Sequence, residues 1–302
     1  MILVMAPRLL LALLAAAVLL AALPAVADGP LPGGSETPEP AEPIPQSPTV
    51  RWEPGVEVRP LLADEPYETL LYINTGPEPG PAVMVVGGTH GNEPAGWQAA
   101  EQLTGLVPDR GRLLVIPRAN VVAIDRFVRT LPELGDLNRL YPGQPDGLPM
   151  ERLAWEITRL VGEYRVQVFV DLHESWGFYQ DRVCPSTAFL GQTVAVTNKS
   201  QAVELLSPVV DGLNARLAGK ERFTLLVFGR PGSPPSPNCP PTPLPNERGG
   251  YGGTSTNMLA RTYPPLITVL VETSTQLPLG RRVGFHLEIV RQILVAQGML
   301  AN

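Results

Sequence analysis

The chain has only three histidines, His90, His173 and His286, and two of them sit among residues that do chemistry together. His90 lies in Gly87-Gly88-Thr89-His90-Gly91-Asn92-Glu93, with Glu93 three residues on, and His173 lies in Val170-Asp171-Leu172-His173-Glu174. A His-x-x-Glu turn entering a helix lets an imidazole and a carboxylate converge on one cation, and a histidine from a second strand completes the set. Two His and one carboxylate leave a fourth zinc position open for water, as hydrolysis requires. The two cysteines, Cys184 and Cys239, are too few for a multi-Cys zinc site or a disulfide scaffold. They either pair with each other or stay as thiols. Glu272 follows an aliphatic run in LITVLVETST, where burial and a nearby metal can tune a general base; by itself it is equally an ordinary strand-end acid. Between these blocks stand Arg126, Arg129 and Asp136-Leu137-Asn138-Arg139. Arginine suits bidentate carboxylate binding and oxyanion stabilisation, although each of these arginines also reads as a surface ion-pair residue. His286, in the last amphipathic segment, reads as a satisfied polar residue of a helix.

Something rigid must bring these blocks together. Short runs rich in Val, Ile and Leu alternate with longer amphipathic segments, the pattern of a mixed, mainly parallel α/β sheet sandwiched by helices. The expected strands are Thr69–Ile73, Ala82–Val86, Arg112–Pro117, Val166–Leu172, Thr193–Thr197, Phe223–Phe228 and Leu266–Val271. The expected helices are Ala95–Leu106, Met150–Tyr164, Gln201–Leu217 and Arg282–Met299. Ligands of open α/β sheets collect at the carboxyl ends of the strands, and that is where His90, His173 and Glu272 fall.

The N-terminal 27 residues carry one charge, Arg8, then the apolar run Leu9–Leu23 and the small triplet Ala25-Val26-Ala27, a secretory signal pattern. The run is shorter than the roughly 20 residues that span a bilayer, so retention as an anchor is the second reading. Residues 28–48 hold seven prolines, three glycines and four acids and read as an extended linker. Residues 49–302 then form one catalytic domain, interrupted by a stiff loop with eight prolines between Pro231 and Pro245. Export places the protein in the periplasm or outside the cell. A net charge of −6 without any basic run argues against nucleic acid as a partner.

The ordered blocks GGTHGNE, DLNR, VDLHE and VLVETS, spread over most of residues 68 to 300, resemble the succinylglutamate desuccinylase/aspartoacylase family of the zinc carboxypeptidase superfamily. The resemblance implies that His90, Glu93 and His173 bind one zinc ion per chain and that Glu272 is the catalytic carboxylate. It implies that Asn138 and Arg139 grip a substrate carboxylate and that an upstream arginine polarises the scissile carbonyl. Arg126-Phe127 resembles the Arg-aromatic pair found there, but the family spacing favours Arg129 as that arginine. Asp136, in the Asp-x-Asn-Arg block, is expected to accept the second ring N–H of His90. Tyr251, in Gly249-Gly250-Tyr251-Gly252-Gly253, is placed like the mobile tyrosine of zinc carboxypeptidases, or is an exposed residue on a turn. Only 30 residues follow Glu272, so the β-rich C-terminal domain of aspartoacylases is not expected.

These readings together imply an exported zinc hydrolase that cleaves an amide of a small carboxylate-bearing substrate, an N-acyl amino acid deacylase. The alternative is a carboxypeptidase or amidase acting on cell-envelope peptides, with no stable membrane span after signal cleavage. A catalytically dead binding protein is the non-enzyme reading. It would be expected to lose Glu272 or a ligand, and all four are present.

Overall fold

The computed structural model describes residues 51–182, 189–197, 199–227 and 253–301. The signal segment, the linker, both cysteines, the proline-rich stretch and Tyr251 lie outside the described residues. Among the described residues, eight strands make one mixed sheet in the order β1-β2-β4-β3-β5-β8-β6-β7. They are β1 (Gly55–Leu61), β2 (Thr69–Thr75), β3 (Glu78–Gly87), β4 (Arg110–Ile116), β5 (Val168–Ser175), β6 (Thr193–Val196), β7 (Thr224–Val227) and β8 (Ile267–Ser274). The centre, β4-β3-β5-β8, is parallel throughout. The flanks turn antiparallel at β1/β2, β2/β4 and β6/β8.

The unbroken aliphatic runs follow from cover on both faces, where a parallel strand has no solvent side on which to alternate. Val83 and Val85 join one apolar cluster, with Ala99 of α1 (Pro94–Leu103), Leu206 of α4 (Ser200–Asn214) and Ile289 of α6 (Leu279–Ala296). Met84 and Val86 point the other way, into a cluster with Leu153 and Ile157 of α3 (Pro149–Glu163) and Leu259 of α5 (Ser255–Thr262). Helix α3 starts with Pro149 at its first turn and Glu151 beside it. It buries Met150, Leu153, Ala154, Ile157, Leu160 and Val161, a spacing of three and four that lines one face. Each such aliphatic side chain contributes roughly 2 kcal/mol on burial. The remaining helix, α2 (Val121–Asp125), is one short turn after β4.

The expected architecture is therefore borne out, with differences in detail. Strands β5 and β8 do not stop at Leu172 and Val271. They run on in register to Ser175 and Ser274, pairing His173 with Glu272, so both residues are inside strands. The backbone ladder between the two strands carries the pairing past the aliphatic runs. The edge strand β1 was not expected: Val56 and Val58 are half exposed, which leaves little periodic signal. Nor were α2 and α5, of 5 and 8 residues, too short for a helical period to stand out. Helix α1 ends at Leu103, before the expected Leu106, and α6 begins at Leu279, before the expected Arg282. Among the described residues no helix is long and apolar enough to cross a membrane, and α6 is the only regular element after β8.

The topology also locates the site. From β3 the chain crosses through α1 to β4 on one side, while β5 lies on the other side of β3. The crevice between the carboxyl ends of β3 and β5 is thus a topological switch point, where α/β sheets bind ligands.

Candidate metal centre

The loop leaving β3 is fixed by close backbone approach. A Cβ at Gly91 would lie 2.0 Å from the carbonyl carbon of Ala123, so no other residue fits, and the Gly91 N–H donates to the Arg129 carbonyl at 3.2 Å. The loop delivers His90 and then Glu93, which stands at the N-cap of α1. Strand β5 delivers His173 from the neighbouring strand end. The three side chains are buried, and their ligand atoms all lie within 4.8 Å of one another.

Both histidines turn Nδ1 inward. The two Nδ1 atoms are 3.1 Å apart, Glu93 Oε1 is 2.7 Å from His90 Nδ1, and Glu93 Oε2 is 2.9 Å from His173 Nδ1. On the outer sides, His90 Nε2 lies 3.3 Å from Asp136 Oδ1, and His173 Nε2 lies 3.1 Å from Asp171 Oδ1, close but off the axis of a good hydrogen bond. A carboxylate at each Nε2 favours the proton there and leaves the lone pair on Nδ1. Two nitrogen lone pairs and a carboxylate then face one point, an arrangement that is repulsive unless a cation occupies it. The residues fit a divalent metal.

The electrostatics of the cluster point the same way. Burial works to raise the Glu93 pKa, but His90 and His173 outweigh it and hold the carboxyl well below the usual range. Burial works to lower the His173 pKa, yet Asp171 and Glu93 push it well above that of free histidine. Asp136 is also held below the carboxylate range, with burial opposed by His90 and the nearby arginines.

Glu272 lies beside His173 in the β5/β8 register and opposite Thr193 of β6. It is buried, and its Oε2 has no hydrogen-bond partner among the described residues. Burial pushes its pKa up to about 8, with His173 opposing and Glu93 reinforcing the shift.

The two arginine candidates separate. Arg129 reaches Glu93 Oε1 at 3.2 Å and Asp136 Oδ2 at 3.5 Å, with its side chain 45% exposed. Arg126 points away, 3.8 Å from exposed Glu133. Asn138 and Arg139 fall in a short 3-10 turn capped by the Asp136 side chain, which accepts the Asn138 N–H at 3.0 Å. Asn138 Oδ1 is already taken by the Ser255 N–H at 2.9 Å, so its Nδ2 is the group it can offer a ligand. Arg139 is exposed, with Nη1 2.6 Å from the Asn138 carbonyl. His286 is fully buried under this layer, Nε2 3.1 Å from Thr273 Oγ1, and burial lowers its pKa to about 3.

Several residues that build the centre were not singled out from the sequence. Asp171 accepts from Thr89 Oγ1 at 3.0 Å and Ser255 Oγ at 2.6 Å while facing His173. The signal for it was present, since a strand places residues two apart on one face, and Asp171 precedes His173 by two. Glu174 and Arg282 form a buried ion pair that no local pattern announces.

The fold and the ligand cluster together define a carboxypeptidase-like α/β sheet carrying a two-His-one-carboxylate centre. Residues 79–178 match the model of the Succinylglutamate desuccinylase/Aspartoacylase catalytic domain, and the resemblance read from the motifs is borne out over that span. The match includes the first three motif blocks; Glu272 lies beyond it. The N-alpha-acetyl-L-2,4-diaminobutyric acid deacetylase of Halomonas elongata is 36% identical over 98 residues, which are 31% of this chain and 28% of that protein. The chain thus aligns with little more than a quarter of the length of this curated relative. Among solved structures, an aspartoacylase family protein from Mesorhizobium loti is similar at a TM-score of 0.57 and 20% identity, covering 83% of this chain and 69% of the other. Helicobacter pylori Csd4, described as a D,L-carboxypeptidase in its mDAP-bound form, is similar at a TM-score of 0.57 and 18% identity, covering 73% and 51%. At these identities the structures share the fold.

Proposed function

We propose that residues 49–302 form the catalytic domain of a zinc-dependent amidohydrolase, exported to the periplasm or beyond, that cleaves an N-acyl amino acid or a similar carboxylate-bearing substrate. The observation that carries this reading is the convergence of His90 Nδ1, His173 Nδ1 and Glu93 on one point, with the buried Glu272 beside His173 in the sheet. A zinc ion held by His90, Glu93 and His173 would supply a Lewis acid and a water of lowered pKa. Glu272 takes the proton of the attacking water on its carboxylate and returns it to the leaving amine as the C–N bond breaks. Arg129 donates to the oxyanion that forms on the carbonyl oxygen, a role worth on the order of 3 kcal/mol for one donor. Arg139 and the Asn138 Nδ2 bind the substrate carboxylate, Asp136 holds the His90 ring, and Tyr251, outside the described residues, is the further substrate-binding candidate from the motif.

The second reading, a carboxypeptidase or amidase of envelope peptides, uses the same residues and is favoured by the signal-like N-terminus. Incubating the purified chain with N-acyl amino acids and peptidoglycan peptides, beside a Glu272→Gln control, and weighing the products by mass spectrometry separates the two. Free amino acid released from acylated substrates alone supports the deacylase. Loss of a residue or an amide-linked segment from the peptides supports the peptidase. Zinc uptake without turnover of either class points to the binding-protein reading, and turnover by Glu272→Gln refutes the assignment of Glu272.

A further inference from the structure

We propose that Glu174, held by Arg282, is a positioning residue that caps helix α1 in place of Glu93 and so leaves the Glu93 carboxylate for the metal. The inference rests on the metallohydrolase reading and extends it to a pair of residues that touches neither metal nor substrate.

An N-cap side chain ordinarily accepts one of the helix's unpaired N–H groups. Glu93 occupies the N-cap and makes no such bond, because its carboxylate is turned onto His90 and His173. Pro94 removes the N–H at the first helical position, so the Ala95 N–H is the first that needs an acceptor. Ala95 is fully buried, out of reach of water, and a buried N–H without a partner is costly. Glu174 Oε2 accepts it at 2.7 Å from the neighbouring strand.

Glu174 acts on the same turn a second time. Its backbone N–H donates to Glu93 Oε2 at 3.0 Å, fixing the carboxylate that faces the histidines. One residue therefore holds both the side chain of Glu93 and the backbone two residues after it. The contact is tight as well: a Cβ at Gly96 would lie 2.4 Å from the Leu172 carbonyl, so α1 begins in direct backbone contact with β5. Arg282 of α6 completes the device. Its Nη1 pairs with Glu174 Oε1 and its Nε donates to the Leu277 carbonyl at 2.9 Å, so the guanidinium is itself held in place. The pair neutralises a carboxylate that otherwise adds to the negative charge of Glu93, Asp136 and Asp171 around the centre. It also ties α1, β5 and α6 together at the point where the Glu93 ligand leaves the loop.

The test is the zinc dissociation constant of the full chain, measured by competition with a chromophoric chelator well below each variant's melting point, with folding checked by circular dichroism. The wild type is expected to bind one zinc. Glu174→Ala is expected to weaken binding 10- to 100-fold, in the range of other supporting contacts to metal ligands. Glu174→Gln, whose amide oxygen can still accept from Ala95, is expected to fall between the two. Arg282→Met is expected to lose tenfold or more and Arg282→Lys to recover most of that loss. If Glu174→Ala does not fold, the Gln and Arg282 variants carry the test. Folded variants that melt lower without metal but bind zinc as the wild type does overturn the positioning role and leave the metallohydrolase reading intact. A wild type that takes up no zinc overturns both.

Discussion

Replacing Glu272 by Gln in the metal-free protein is expected to make it more stable, by an amount that grows with pH. Burial holds the carboxyl near a pKa of about 8 against an ordinary 4.5. Between those values the unfolded chain has given up the proton while the native protein keeps it. Stability therefore falls as pH rises through the window, by about 1.4 kcal/mol per pH unit. At pH 7 the window is two and a half units deep, a burden of about 3 kcal/mol that glutamine does not carry. In a domain of this size that corresponds to a melting shift of roughly 6 to 12 °C. Thermal melts of wild type and variant in excess chelator at pH 5 and pH 7.5 measure it, and other titrating groups largely cancel in the difference. The variant should gain little at pH 5 and about 4 kcal/mol at pH 7.5; with zinc present the gap should shrink, because a nearby dication favours the ionised carboxylate. An equal difference at both pH values, or a variant less stable than wild type at pH 7.5, refutes the claim that Glu272 is buried against its charge.

Two further outcomes follow from the geometry. Arg129→Ala should lower kcat/KM by 100-fold or more on any substrate the protein hydrolyses, as loss of an oxyanion donor does, while Arg126→Ala stays within about threefold; steady-state kinetics of the pair decides, and equal effects refute the assignment. Gly96→Ala places a methyl 2.4 Å from the Leu172 carbonyl and should cost about 1–3 kcal/mol by overpacking while also weakening zinc binding. Chemical denaturation and the chelator competition read both, and a variant as stable as wild type shows that α1 does not press on β5.

The local motifs determined a good deal by themselves. Aliphatic runs marked seven of the eight strands, because a strand buried on both faces has nothing polar to interrupt it. Spacing put His90 and Glu93 on one turn, and the position of His173 and Glu272 after such runs placed them at strand ends. The chain's local pattern could not say where those strands stop, because the last three residues of β5 and β8 are held by each other across the register rather than by their own hydrophobicity. Local pattern did not separate Arg126 from Arg129, since three residues of loop carry no periodicity; the family spacing favoured Arg129, and the packing of that loop on Gly91 turns Arg129 toward Glu93. Strand alternation put Asp171 on the face of His173, but its partner Ser255, and the pairing of Glu174 with Arg282, were decided by tertiary structure alone. Hydrogen bonds and ion pairs between residues 84 and 108 positions apart join them, and sequence separation of that size leaves no trace in local pattern. The ligands of the centre are a property of short motifs; the charges and caps that hold them come from elements that meet only when the sheet closes.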